Sequence, residues 1–239
     1  MIIGSGLIAS AMTKAFAGND VCVFAAGVSN STCKDEAEFA RERVRLVQAL
    51  ADQAHTGRFV YFGTCSVGDP DAVHSQYVQH KFAMEQLVRA HPRHVIFRLP
   101  QVAGHTPNPH TLLNYLYARI SRSESFSVWI NSTRNVLCVD DIARIVRSLV
   151  CHENAVNETI SVAHPQSVKI LEIVAAFEKV TGKRAIFNEL PLGSAYSIDC
   201  SRISTALGRC GVDFSGDYLG RVLTKYYGQR CFRQSLDGA

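Results

Sequence analysis

No apolar run in this 239-residue chain approaches the roughly 20 residues needed to cross a bilayer, so no membrane-spanning helix is expected. The eight cysteines include no Cys-x-x-Cys pair, and the nine histidines show no metal-ligand spacing. Neither a dithiol motif nor a metal site is expected from them. Cys22 and Cys138 sit inside apolar runs, where cysteine acts as a small hydrophobe, and reduced thiols in a cytoplasmic protein are the expected state. A net charge of +4, spread without a basic block, argues against a nucleic-acid partner. Met1-Ile2-Ile3 leads straight into a glycine turn with no charged segment ahead of it, so no secretory signal is expected. Internal repeats and low-complexity linkers are also missing.

What is present is the make-up of a globular protein, 47% hydrophobic and 19% charged. The length suits one large domain, or a core with a small annex. Short apolar runs at Met1–Ile3, Val21–Ala26, Phe59–Phe62 and His94–Arg98 read as buried strands. Helical patterns lie between them: Leu7 to Phe16, about Lys34 to Gln53 with Phe39, Val44, Val47 and Leu50 as its apolar face, and Tyr77 to about Arg89. Such alternation predicts an α/β fold, a parallel sheet with helices on both faces. Further on, helices are expected at Thr111–Ser121, Ile142–Val150 with Asp140-Asp141 at its start, Ile170–Thr181 stopped by Gly182, and Tyr218–Tyr227. Strands are expected at Phe126–Ile130, Val136–Val139 and Thr159–Val162, with two late segments at Ala185–Asn188 and Tyr196–Asp199.

In parallel sheets ligands bind beyond the carboxyl ends of the strands, and four suitable loops fall there. Gly4-Ser5-Gly6, between the first strand and helix, lets backbone approach a pyrophosphate at a helix N-terminus; Ala9 fills the small-residue position of that turn. Ala26-Gly27 ends the second strand, Thr64 the third, and Pro100-Gln101 the fourth. Tyr77 and Lys81, four apart, share a helix face. A lysine beside a phenol is expected to stabilise the phenolate and bring Tyr77 toward general acid/base work, with Thr64 bonding the same reacting oxygen. On spacing alone the pair better suits a half-buried Tyr next to a surface Lys, and it is the surrounding loops that favour chemistry.

The series Gly-x-Gly-x-x-Ala, Ala-Ala-Gly, Thr-Cys-Ser-Val, Tyr-x-x-x-Lys, Arg-Leu-Pro-x-Val-x-Gly and Arg-Asn-Val-Leu-Cys-Val-Asp-Asp resembles an extended short-chain dehydrogenase/reductase, more narrowly the nucleotide-sugar epimerase/dehydratase/reductase branch. The resemblance covers nearly the whole chain. It implies an NAD- or NADP-dependent oxidoreductase or isomerase of polysaccharide biosynthesis, with Tyr77 as acid/base, Lys81 holding the nicotinamide ribose and Thr64 completing the triad. It further implies cofactor contacts at Gly4, Gly6, Leu7, Ile8, Ala26, Gly27, Lys81, Pro100, Gln101 and Val102, and sugar-nucleotide contacts at Ser29, Asn30, Ser66, Asn108 and Arg134. Residues 1–125 and 136–165 would form the Rossmann-like core, and 126–135 with 166–239 a smaller C-terminal substrate-binding region.

One departure stands out. The family's second strand, following helix and third strand are missing, since Val21 begins the Ala-Ala-Gly strand about fifteen residues after Gly6. The sheet is therefore expected to be truncated, starting at its first strand, with a flank that a second copy in a homodimer would cover. The acidic residue that grips the adenosine ribose goes with the missing unit, and Asp20 does not replace it. Beside the enzyme reading stands a second, a binding or scaffold module that kept the substrate cleft and lost half of the dinucleotide site.

Overall fold

The computed structural model describes residues 1–16, 20–52 and 57–228. Its centre is a five-stranded, wholly parallel sheet ordered β1-β2-β3-β4-β9, formed by Ile2–Ile3, Val21–Phe24, Arg58–Thr64, His94–Leu99 and Glu158–Ser161. Helices α1 (Leu7–Ala15), α2 (Glu36–Asp52) and α3 (Gln76–Arg89) make the crossovers between its first four strands. The two-residue β1 is an edge strand, as the truncation predicts.

Alternation along the strands explains the two covered faces. Val21, Val23, Val60, Phe62, Val95 and Phe97 point to one side, into a core shared with Met12 and Phe16 of the first helical segment and Ile142, Ile145 and Leu149 of α5 (Val139–Cys151). Cys22, Phe24, Phe59, Tyr61 and Ile96 point to the other, against Leu46 and Ala49 of α2 and Met84 and Val88 of α3. β2, and the inner runs Phe59–Phe62 of β3 and Val95–Phe97 of β4, are apolar throughout because neither of their faces meets water.

The remainder continues the first core. After β4 come β5 (Gln101–Ala103), α4 (Leu112–Ser121), β6 (Phe126–Trp129), β7 (Thr133–Arg134) and β8 (Val136–Cys138), with β5 paired to β8. Beyond β9 lie β10 (Val168–Lys169), α6 (Ile170–Thr181), β11 (Phe187–Leu190), α7 (Ser204–Cys210) and α8 (Tyr218–Leu223). Gly182, at φ 68°, ends α6 in the left-handed conformation. Asp140 and Asp141 do more than open α5: Asp141 accepts from Tyr218 Oη at 2.6 Å, and Asp140 from Lys225 Nζ at 2.7 Å and Tyr226 Oη at 3.0 Å, docking the last helix.

Several expectations need correction. Val44 and Val47 are 65% and 48% exposed, and α2 instead buries Phe39, Glu42, Leu46 and Ala49. The stripe is rotated because Glu42 has polar partners inside. Tyr196–Asp199 forms no strand. The late strand is shifted to Phe187–Leu190, where β6 fixes its register. The β7–β10 pair was not expected, since two-residue strands leave no periodicity to read. Gln53 and Cys231 lie outside the described residues; the seven described cysteines are free thiols. Among the described residues no helix is long and apolar enough to cross a membrane.

Candidate active site

At the carboxyl ends of β2, β3 and β4 the loops enclose a cavity of about 220 Å³. Its wall begins at the glycine turn. Gly4 takes φ +132°, and a Cβ there would strike the Ala25 carbonyl, so only glycine allows the first helix to start so close to the second strand. Gly6 caps α1, and the place its Cβ would take is open space, which leaves the backbone at this helix N-terminus accessible to a ligand. Ala9 is buried beneath it.

Thr64 ends β3 and caps the single helical turn Cys65–Gly68, its Oγ1 accepting from Ser66 N at 3.1 Å. Ser75 caps α3, its Oγ accepting from Val78 N at 3.2 Å, and this sets Tyr77 and Lys81 in the first turns of that helix. Both line the cavity, together with Thr64. Lys81 is buried, and its Nζ donates to Glu42 Oε1 at 3.0 Å and Tyr61 Oη at 3.2 Å. Burial works to raise the Glu42 carboxyl, but the Lys81 charge and hydrogen bonds from His80, Val28 and Lys81 override it and hold it at about 2. The Tyr77 phenol departs from expectation. Burial first, and the Glu42 charge second, push its ionisation well above the ordinary value. The lysine cation does not pull it down because it is already paired with a carboxylate.

Of the sequence-predicted cofactor residues, Gly6, Leu7, Ile8, Gly27, Lys81, Pro100, Gln101 and Val102 line the cavity. Gly4 shapes the turn behind it, and Ala26 packs against the apolar cluster under α2 and α3. Of the substrate set, Ser29, Ser66, Asn108 and Arg134 line it. Asn108 Nδ2 donates to Ser29 Oγ at 3.0 Å, bridging two walls. Asn30 does not reach the cavity: its Oδ1 is used locally, accepting from Thr32 N at 3.0 Å and Thr32 Oγ1 at 2.8 Å.

Sequence reasoning missed Tyr196 and Asn135. Tyr196 enters the wall from the loop after β11, hydrogen-bonded to Ser66, with burial pushing its phenol up to about 12. An isolated Tyr in a polar loop carries no sequence signal. Asn135 clamps the His164 backbone, donating to its O at 2.7 Å and accepting from its N at 2.9 Å, while Gln101 N donates to Asn135 O. The Arg134 loop is thereby sewn to the Pro100–Gln101 loop, a signal that only the fold provides.

Charge in the lining is one-sided. Lys81 and Arg134 are present and, among the described residues, no carboxylate, which suits an anionic ligand. The residues fit a dinucleotide's pyrophosphate and nicotinamide-ribose half. Nothing described fits its adenosine ribose, because β1 is the edge of the sheet and Asp20 precedes β2 at the opposite end, against Gly57. A larger hollow of about 1080 Å³ lies by α6 and α8, lined by Glu172, Lys179, Asp217 and Lys225 among others, but it holds none of the predicted site residues. Convergent chemistry, not size, assigns the site.

Comparisons with known proteins concern the family and the fold. The model of the family described as NAD dependent epimerase/dehydratase matches residues 4–163. No curated protein matches the chain. Among solved structures, UDP-glucuronic acid 4-epimerase from Bacillus cereus, in complex with UDP-glucuronic acid and NAD, is similar at 22% identity and a TM-score of 0.73, over 97% of this chain and 81% of that one. RMD from Pseudomonas aeruginosa, complexed with NADPH, is similar at 15% identity and 0.73, over 95% and 98%. The dTDP-glucose 4,6-dehydratase from Bacillus anthracis, in complex with NAD, is similar at 14% identity and 0.68, over 91% and 74%. At these identities the likeness concerns the fold.

Proposed function

This chain belongs to the NAD dependent epimerase/dehydratase family, and from that premise we propose that it is a nicotinamide-dependent oxidoreductase or epimerase acting on a nucleotide-activated sugar. The observation that carries this reading is the convergence of Tyr77, Lys81, Thr64, Arg134 and the glycine turn on one carboxylate-free cavity. In this account Tyr77 Oη exchanges a proton with the reacting sugar oxygen, and the Thr64 hydroxyl bonds the same oxygen. Lys81, with two of its three N–H groups held by Glu42 and Tyr61, keeps one for the nicotinamide ribose. The amide groups opening α1 receive the pyrophosphate. A nicotinamide dinucleotide, when bound, supplies the hydride donor and acceptor. Arg134 pairs with the substrate diphosphate, and residues 126–135 with 166–228 form the substrate side of the cleft.

A binding module is the second reading, favoured by the missing grip on the adenosine ribose. Both readings share the sugar-nucleotide site, and Arg134 tests it. Charge-assisted hydrogen bonds to phosphate contribute about 1.5–3 kcal/mol. Arg134→Ala should therefore weaken binding of UDP-glucuronic acid or dTDP-glucose, measured by calorimetry, by roughly 10- to 100-fold. Turnover is then followed both by chromatography of the sugar nucleotides and through the reduced-nicotinamide absorbance when those sugars are added with NAD or NADPH. A new sugar-nucleotide product or an absorbance change supports the enzyme; binding of the sugar with neither supports the module. Equal affinity of wild type and variant would remove Arg134 from the site.

A further inference from the structure

Apolar patterning gives α2 no reason to bury a carboxylate, yet the Glu42 side chain is 1% exposed. Both its oxygens are fully used. Oε1 accepts from Lys81 Nζ at 3.0 Å and Tyr61 Oη at 2.9 Å. Oε2 accepts from Val28 N at 2.7 Å and lies 3.1 Å from His80 Nε2. These partners come from α3, from β3 and from the loop after β2, and Phe39, one turn before Glu42, stacks on the His80 ring at 4.5 Å between centroids. A Cβ added to Gly27 would strike both Lys81 Nζ and Glu42, so the loop lies directly against the ion pair. Desolvated charges of this kind persist only when paired and hydrogen-bonded, and here both conditions hold.

The consequence falls on Tyr77. A free ammonium beside the phenol would favour phenolate; an ammonium in contact with a carboxylate exerts little net field, and the carboxylate itself disfavours a second negative charge. The groups around Tyr77 are Glu42 from α2, Lys81 and His80 from its own helix, Tyr61 from β3, and Arg134 and Tyr196 from the far wall of the cavity. Only Lys81 and Arg134 among them are permanent cations, and Lys81 is paired with Glu42.

We propose that Glu42 is a positioning residue that fixes Lys81 at the cavity wall and, by neutralising it, withholds from Tyr77 the field that would favour phenolate. This deepens the functional reading and rests on its assignment of Tyr77.

Protein labelled with carbon-13 at the tyrosine Cζ, with the Tyr77 signal assigned by its loss in Tyr77→Phe, reports the phenol directly by NMR. In wild type Tyr77 should titrate above the free-tyrosine value of about 10. Glu42→Gln should lower that midpoint by about one pH unit or more, while Glu42→Asp, which keeps the charge and disturbs the packing, should stay near wild type. A wild-type midpoint at or below about 10, or equal shifts in the two variants, overturns the proposal, and the wild-type arm stands even if neither variant folds. The titration needs neither cofactor nor sugar, so a protein that shows the shift but turns over nothing counts against the functional reading alone.

Discussion

Tyr77→Phe is expected to cut turnover of the nucleotide sugar by roughly 10²- to 10⁴-fold, the range general acid/base groups contribute. The ring stays in place, so the packing of α3 on β3 and the affinity for sugar nucleotide should change little. The phenolic hydrogen alone is lost, and with it the proton path to the sugar oxygen. Thr64 cannot substitute, because its Oγ1 already accepts from Ser66 N, and its hydroxyl is far too weak an acid to act alone. The decisive signature is a fall in kcat at nearly constant KM, measured with thermal unfolding as a check on fold. Unchanged kcat would remove Tyr77 from the chemistry and return it to a structural phenol lining the cavity.

The second large effect concerns stability. Glu85, one turn beyond Lys81, is fully buried, and Arg98 of β4 grips it with Nε at 3.0 Å from Oε1 and Nη2 at 2.7 Å from Oε2. The more distant partner is Arg89, 3.8 Å away and itself 38% exposed. Arg98→Met removes the main counter-charge and leaves a carboxylate in the interior, which costs about 3–5 kcal/mol. At about 2–4 °C per kcal/mol for a chain of this size, the melting temperature should fall by roughly 6–20 °C. Adding Glu85→Gln should restore much of that loss, because the cost lies in the stranded charge and not in the missing bond. A melting point for Arg98→Met within about 2 °C of wild type would show that water already reaches Glu85.

The central sheet was legible because a parallel strand covered on both faces reads as a continuous apolar run, and the order of such runs fixes the crossovers. The glycine turn, Thr64, Tyr77, Lys81 and Pro100-Gln101 were legible for a related reason: each sits at a strand end or in the first turns of a helix, where local sequence decides position. What escaped was set at long range. The face of α2 could not be read because Glu42 is drawn inward by Lys81, Tyr61, His80 and Val28, partners 14 to 39 residues away. The field at Tyr77 was misjudged for the same reason, since the spacing of Tyr77 and Lys81 says nothing of a carboxylate on another helix. Tyr196 reaches the cavity only through the β6–β11 pairing and the loop that follows it. The loss of the strand–helix–strand unit, by contrast, was visible in simple counting from Gly6 to Val21.

That loss makes dinucleotide binding the point on which the account turns. Calorimetric titration of wild type with NAD, NADH, NADP and NADPH tests it most directly, with Lys81→Met as the control. The account predicts saturable heat with at least one of the four, weakened at least about tenfold in the variant, where the charge-assisted bond to the ribose is gone. No heat with any of them would contradict it and leave a sugar-nucleotide cleft without a redox partner.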